Sequence, residues 1–320
     1  MKIHLITNCT SSKSNKLKHD VKIKDINEES CSPTKSWFYK LQSQKDLVAA
    51  IDVYVGDHWS KVNEIYNLAF PVWVVSAGYG LISAKKEISS YNATFNGNNE
   101  NSVSKFFSGE NLAEKNISWW NEINIKETNG CQEYGPIEGL YKKHTSDLFF
   151  IVVPPNYLKV LEPELQKLVS SGIVHKENTF IFSSKQNLNP SLKNFYFQAK
   201  DNFCKHLGGS RISLNIRLAN YIMKRLTLER AVAPQVENLY NELLKNSPPA
   251  EKFNRKKMTD EDVFHFITEE LESSGINKSS ASKLLRALRS KGMACEQKRF
   301  GKLYKEFIEA KFDQKFIGSI

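Results

Sequence analysis

The sequence predicts an α/β protein with a mostly parallel sheet flanked by helices, followed by a small C-terminal helical domain. Three observations carry that prediction. Four short apolar runs each stop abruptly at a polar, glycine- or proline-containing loop. Stretches with helical spacing lie between them, the βα alternation of a parallel sheet. The composition then changes at residues 246–257, where two prolines and a basic run mark a linker. The expected division is residues 1–245 and 258–315, and a chain of 320 residues accommodates two domains of that size.

The first run, Ile3-His4-Leu5-Ile6-Thr7, reads as a buried strand that delivers the loop Asn8-Cys9-Thr10-Ser11-Ser12-Lys13 to the C-terminal edge of the sheet. That edge is where open α/β sheets place their ligands. A helix is expected over 37–50 and another over 61–68, with Gly56-Asp57-His58-Trp59 as the loop between them. Residues 70–75 form the second strand, ending in Ser76-Ala77-Gly78-Tyr79-Gly80-Leu81-Ile82. Residues 89–145, rich in Asn and Gly and containing Trp119-Trp120, read as an irregular insertion or lid. Residues 148–153, closed by Pro154-Pro155, form the third strand, residues 179–182 the fourth, and 213–244 are helix-rich.

Beyond the linker, Thr259-Asp260-Glu261-Asp262 has the cap and first-turn acids of a helix start, and Val263, Phe266, Ile267 and Leu271 repeat at helical spacing. Gly275 breaks this helix, and a second one over 279–289 turns Leu284, Leu285 and Leu288 inward and Lys283, Arg286 and Arg289 outward. Gly292 ends it, and a last helix is expected around 304–308. Helix, short turn, basic helix is the helix-turn-helix layout, and a winged-helix variant fits as well.

Lys and Arg number 45 against 35 Asp and Glu, a net charge of +10. The excess clusters: from Lys278 to Lys302 the chain carries Lys278, Lys283, Arg286, Arg289, Lys291, Lys298, Arg299 and Lys302, opposed by Glu296 alone. Clustered cations release counterions from a phosphate backbone, so this segment points to nucleic acid, the alternative being a solvated helix face. No apolar run reaches bilayer-spanning length, and the N-terminus lacks a signal-peptide core. The five scattered cysteines form no CxxC pair, which disfavours a disulfide framework or a zinc site. A cytoplasmic, reduced protein is expected, with no membrane partner.

No HExxH, GxSxG, Walker A or GxGxxG motif occurs, and the seven histidines show no ligand spacing, so neither metal nor cofactor is expected. Four loops, 7–13, 54–59, 76–82 and 91–95, converge at the predicted strand ends. They bring hydroxyls, the amides of Asn8 and Asn92, the carboxylate of Asp57, the ring of His58 and the aromatics Tyr54, Tyr79, Tyr91 and Phe95. An extruded nucleobase needs such an inventory: aromatic faces to stack on, an amide to read its edge, and a carboxylate near the sugar. The competing reading is that each aromatic is core and His58 a hydrogen-bonded structural group. Gly208-Gly209-Ser210-Arg211 before the helix at 212–223, with Arg217, is either a phosphate-binding turn or an ordinary glycine turn with a Ser cap.

Ile6-Thr7-Asn8-Cys9-Thr10-Ser11-Ser12-Lys13, then Val75-Ser76-Ala77-Gly78-Tyr79-Gly80-Leu81-Ile82, then Ile88 and Tyr91-Asn92, resemble the motifs of a superfamily that includes YaaA-type peroxide-stress proteins and the uracil-DNA-glycosylase-like domain of archaeosine synthases. Phage-defence DNA glycosylases acting on glucosylated hydroxymethylcytosine lie near it. The resemblance covers residues 1–100 well and 148–225 weakly, and excludes the C-terminal segment. The family pattern has Cys-Ser where this chain has Cys9-Thr10, and Asp where it has Asn92; an amide cannot act as a general base, which moves attention to Asp57.

The resemblance implies a uracil-DNA-glycosylase-like fold and a DNA glycosylase that flips out and excises a modified base from double-stranded DNA, modified phage DNA included, in antiviral defence. The expected catalytic residues are Asp57 and Asn92. The expected base pocket is Asn8, Cys9, Ser11, Tyr54, His58, Tyr79, Gly80 and Tyr91. Lys13, Ser210, Arg211, Asn215 and Arg217, with Lys283, Arg286, Arg289 and Arg299, are expected to bind nucleic acid. The alternatives are a base-exchanging or base-modifying transferase on tRNA or DNA, and a non-catalytic DNA-binding stress protein.

Overall fold

A computed structural model of the chain describes residues 1–17, 20–26, 32–127, 135–249, 255–274 and 280–317. Two of the five cysteines, Cys31 and Cys131, lie outside these residues, as do Gly275, Lys278 and 250–254 of the expected linker. The chain divides into two compact units, Met1–Ala250 and Glu251–Ile320.

The first unit is built on a six-stranded sheet: β1 (Ile3–Asn8), β2 (Val72–Ser76), β3 (Gly80–Ser83), β4 (Leu148–Val152), β5 (Thr179–Ser183) and β6 (Tyr196–Gln198), in the order β6-β5-β4-β1-β2-β3. All neighbours are parallel except β2 and β3. Leu5 lies opposite Val72 on one side and Phe150 on the other, and Phe150 opposite Phe180. Every residue of β1, β4 and β5 is buried, as expected of central parallel strands covered on both faces. Edge strand β3 alternates buried and half-buried positions instead.

The covering helices are α1 (Pro33–Gln42), α2 (Asp57–Tyr66), α3 (Leu112–Glu127), α4 (Pro136–Lys143), α5 (Pro155–Ser170), α6 (Leu214–Met223) and α7 (Val232–Asn246). Among the described residues none is long and apolar enough to cross a membrane.

Several expectations are corrected. The helix expected at 37–50 is α1, which starts at Pro33 behind the Ser32 cap and stops at Gln42. Val48–Ala49 instead pair with Glu87–Ile88, because a second apolar partner is in reach there. Residues 57–59 are the first turn of α2 rather than a loop. The stretch 89–145 is not an irregular lid: it contains α3 and α4, and Trp119 and Trp120 are fully buried. Its polar composition hid the few large side chains that fasten it to the sheet. Strands β3 and β6, four and three residues long, were too short to show a periodicity.

The second unit packs α8 (Asp260–Ser274), α9 (Ala281–Ser290) and α10 (Gln297–Ile317) around Val263, Phe266, Ile267, Leu271, Leu284, Leu285, Leu288, Phe300 and Leu303. Ser280 caps α9 by accepting from the Lys283 amide. Its described strand pairing is parallel, Lys256–Lys257 with Met293–Ala294. The end of the expected linker is therefore part of this unit, and a wing hairpin is not among its described elements.

Candidate functional site

The loop after β1 stays attached to the sheet, with the Cys9 amide donating to Val75 O at 3.1 Å, and then runs beside residues 53–55, where Lys13 bridges Tyr54. The three expected loops 7–13, 54–59 and 76–82 meet there, joined by Tyr91. The Tyr91 hydroxyl lies 2.7 Å from Ser76 Oγ and 2.9 Å from the Tyr54 hydroxyl. Ser76 Oγ also accepts from the amides of Gly78 and Tyr79, closing the turn. Trp37 and Trp119 donate their indole N–H groups to Gly78 O and Ala77 O, both at 2.7 Å. Gly78 is required by close approach: a Cβ there would lie 2.5 Å from the Tyr91 ring.

The Tyr79 hydroxyl is 2.7 Å from Ser89 Oγ, and Gly80 adopts φ +73° with its neighbour Leu81 N donating to Asn124 Oδ1. Cys9 Sγ sits 3.1 Å from the Tyr157 hydroxyl of α5, a partner that no sequence motif signalled. Burial pushes the Tyr54, Tyr91 and Tyr157 phenols well above their ordinary value, so they stay protonated. Lys13 lies over this cluster, its Nζ 4.6 Å from the Tyr91 ring centre, rather than reaching out toward a phosphate. Ser11 is exposed.

Asn92 does not join the cluster. It neighbours Tyr91 on a short strand paired with Val21–Lys22, and alternation turns successive side chains to opposite faces. Tyr91 faces the cluster, so Asn92 faces away, half-buried.

His58 is buried and bonded to Thr7, with Nε2 2.8 Å from Thr7 Oγ1. Thr7 spends its one hydroxyl proton on Val152 O at 3.0 Å, so His58 Nε2 must be the donor. Burial lowers its pKa to about 4, and the ring is a neutral structural donor.

Asp57 stands at the first position of α2, and its carboxylate accepts from Ser213 Oγ and pairs with Arg217. Burial works to raise this carboxyl, but the bonds from Ser213 and Arg217 outweigh it and hold it below its ordinary value. Arg217 Nε also donates to Ser213 Oγ at 3.1 Å, and the guanidinium lies against Gly209, where a Cβ would come within 2.1 Å of Nε. Asp57, Ser213 and Arg217 thus pin the loop from Gly208 to Ser213. Ser210 and Arg211 are exposed on it, Arg211 pairing with Asp201 at 3.2 Å. Between them and the helix stands Ile212, 88% exposed; the sequence placed it in the helix expected over 212–223, but α6 begins at Leu214.

Asn215, on the first turn of α6, is buried and donates to Val153 O beyond the end of β4. Its Oδ1 has no hydrogen-bond partner among the described residues, and neither does Asn8 Oδ1 at the end of β1 or Ser183 Oγ at the end of β5. Three adjacent strands therefore end beside buried polar atoms without partners.

In the second unit, Lys283 and Arg286 are exposed on α9, and Arg289 is half-buried and donates to Cys295 O at 3.3 Å. Arg255, Arg286 and Arg289 line a groove of about 390 Å³ with Ser282, Ser290 and Gln297. Arg299 is engaged within the unit, bonded to Asp260 and to Met258 O.

One titratable cluster lies at the opposite end of the sheet. His4, His144 and Asp147 bring their ligand atoms within 4.8 Å of one another, a grouping that sequence spacing did not reveal. His4 Nδ1 accepts from Trp73 Nε1 at 3.0 Å, which places the ring proton on Nε2, 2.9 Å from Asp147 Oδ2. Both His4 nitrogens are used, so the donor set fits a hydrogen-bonded triad; a cation would have to displace the Nε2 proton.

No protein-family model matches the chain, and no curated protein or solved structure matches it either.

Proposed function

We propose that this chain is a DNA-binding, glycosylase-like enzyme that takes a modified base out of the duplex and excises it. The observation that carries the reading is two buried amide oxygens without donors among the described residues, Asn8 Oδ1 at the end of β1 and Asn215 Oδ1 on α6 beside the end of neighbouring β4. A buried polar group without a partner costs about 1–3 kcal/mol, a cost that a ligand presenting N–H groups relieves. An amino-bearing base of the cytosine type offers such donors on the edge it exposes when flipped.

Two further features support it. Ile212 projects from a loop anchored by Asp57, Ser213 and Arg217, and an apolar side chain held clear of the surface suits the gap that an extruded base leaves in the stack. In this reading Asp57 is a positioning residue for that loop. The basic face of α9, Lys283 and Arg286 with the groove at Arg255 and Arg289, supplies phosphate affinity in the manner of a helix-turn-helix.

The test is incubation of the full chain with phage genomes that differ in cytosine modification, followed by mass spectrometry of released bases and alkaline cleavage of the strands. The expected result is a free modified base and an alkali-labile site. An intact strand carrying a new base would replace excision with base exchange, and unchanged DNA from every source would leave a binding protein.

A further inference from the structure

Lys13 is placed unlike a phosphate-binding lysine. It follows β1 on the loop after Asn8, whose Oδ1 has no hydrogen-bond partner among the described residues, and bridges Tyr54 through its backbone. Its Nζ is held by Thr10 O at 2.5 Å and faces the Tyr91 ring at 4.6 Å and the Tyr54 ring at 5.3 Å. Among the described residues no carboxylate lies within ion-pairing distance of it. The side chain is half-buried, with its amine beside the Tyr54 and Tyr91 rings at the C-terminal edge of the sheet.

Burial penalises the ammonium, and the weaker pull of Cys9 and Asp20 does not make up for it, so the pKa is lowered. A lowered pKa favours the neutral amine, the form in which a lysine acts as a nucleophile toward carbonyl-level carbon.

We propose that Lys13 Nζ attacks C1′ of the extruded nucleotide and forms a Schiff base, making this protein a base-excising lyase. The proposal rests on the base-excision reading and names the nucleophile for it. The Nζ–C1′ bond forms as the bond from C1′ to the base breaks; the base leaves with the bonding pair and takes a proton from solvent, and the attacking nitrogen gives one up. Opening of the sugar breaks C1′–O4′, puts a proton on O4′ and leaves a C1′=Nζ iminium. Loss of a C2′ proton then expels the 3′ phosphate, and water hydrolyses the imine to return the free amine. No oxidant or reductant takes part.

The experiment uses the full chain, a duplex with one abasic site, whose C1′ is an aldehyde, and sodium borohydride, which reduces an iminium to a stable secondary amine. The expected result is a covalent protein–DNA complex whose adduct maps by peptide mass spectrometry to Lys13 and which is lost in Lys13→Arg, a change that keeps the charge. Absence of a complex, or an adduct on other lysines that Lys13→Arg forms equally well, overturns the proposal. Mapping on the unaltered chain decides the matter even if the variant folds poorly. Release of a modified base, measured in parallel, separates the two readings. Release without an adduct makes water the nucleophile and overturns the proposal while excision stands. An adduct at Lys13 without release from any DNA keeps the amine chemistry and removes excision.

Discussion

Gly78→Ala is the sharpest test of how the strand-end cluster is held together. Gly78 does not adopt a positive φ, so alanine meets no backbone penalty and the substitution reports packing alone. The added Cβ would lie 2.5 Å from Cδ2 and Cε2 of Tyr91, so the ring must retreat by about 1 Å to reach ordinary contact distance. It has nowhere easy to go, being 1% exposed with Tyr79 at 5.2 Å and Tyr54 and Trp37 at 6.4 Å between ring centres. Overpacking of this kind costs about 1–3 kcal/mol. The 2.7 Å and 2.9 Å bonds of the Tyr91 hydroxyl to Ser76 and Tyr54 stretch with the ring, adding about 1 kcal/mol each. Against this stands a gain of roughly 0.4–1 kcal/mol from stiffening the unfolded chain. The net loss is about 2–4 kcal/mol, a fall in Tm on the order of 10 °C for a domain of this size. Thermal unfolding of the full chain measures it, and Tyr91→Leu provides the control. In that background the obstacle is gone and Gly78→Ala should cost less than about 1 kcal/mol, a coupling well above the ~0.5 kcal/mol scatter of independent sites. An unchanged Tm, or strict additivity of the two substitutions, would refute the packing account of the turn.

Ile212→Ala should leave Tm within about 1 °C, since a surface truncation shifts stability by less than ~0.5 kcal/mol, yet it should sharply reduce base release; unaltered release would remove the wedge role. Asp57→Asn deletes the charge opposite Arg217 and should cost about 1 kcal/mol, discounted because the carboxylate side chain is 43% exposed. Release and DNA affinity should then fall together, whereas lost release at full affinity would assign the carboxylate to the chemistry. Lys283→Ala with Arg286→Ala should weaken binding equally for all sequences and lower the salt slope by about one unit per contact; an unchanged slope takes α9 out of the interface. His58 has a folded pKa of about 4 against an ordinary 6.5, so the unfolded chain binds the proton more tightly. Its contribution, on the order of 3 kcal/mol at ~1.4 kcal/mol per unit, is full above pH 6.5 and lost as pH falls toward 4. Denaturant titrations across that window should show the loss in the wild type and a flatter profile in His58→Gln.

The central strands were legible from residues 3–7, 70–75, 148–153 and 179–182 because strands covered on both faces read as near-continuous apolar runs, a property of consecutive residues. The three loops that meet at Tyr91 were legible for a related reason, since parallel strands deliver their following loops to one edge. The inward face of α9 likewise followed from spacing, with Leu284, Leu285 and Leu288 buried. Partnerships between distant positions were not legible. Asp57 and Arg217 are 160 residues apart, Cys9 and Tyr157 are 148, and His4 and Asp147 are 143, and nothing local in either member of a pair announces the other. The same holds for environment. Sequence can place Lys13 after a strand, but only packing sets its amine over two tyrosine faces with no carboxylate in range among the described residues, and only packing separates Asn92 from Tyr91 by turning adjacent side chains to opposite faces. Periodicity and residue type thus determined the central strands, the basic helix and the edge to which the strands deliver their loops. Which groups are paired, buried or left without a partner was decided by the tertiary structure, because desolvation and hydrogen bonding depend on every neighbour a side chain acquires in space, whatever its distance along the chain.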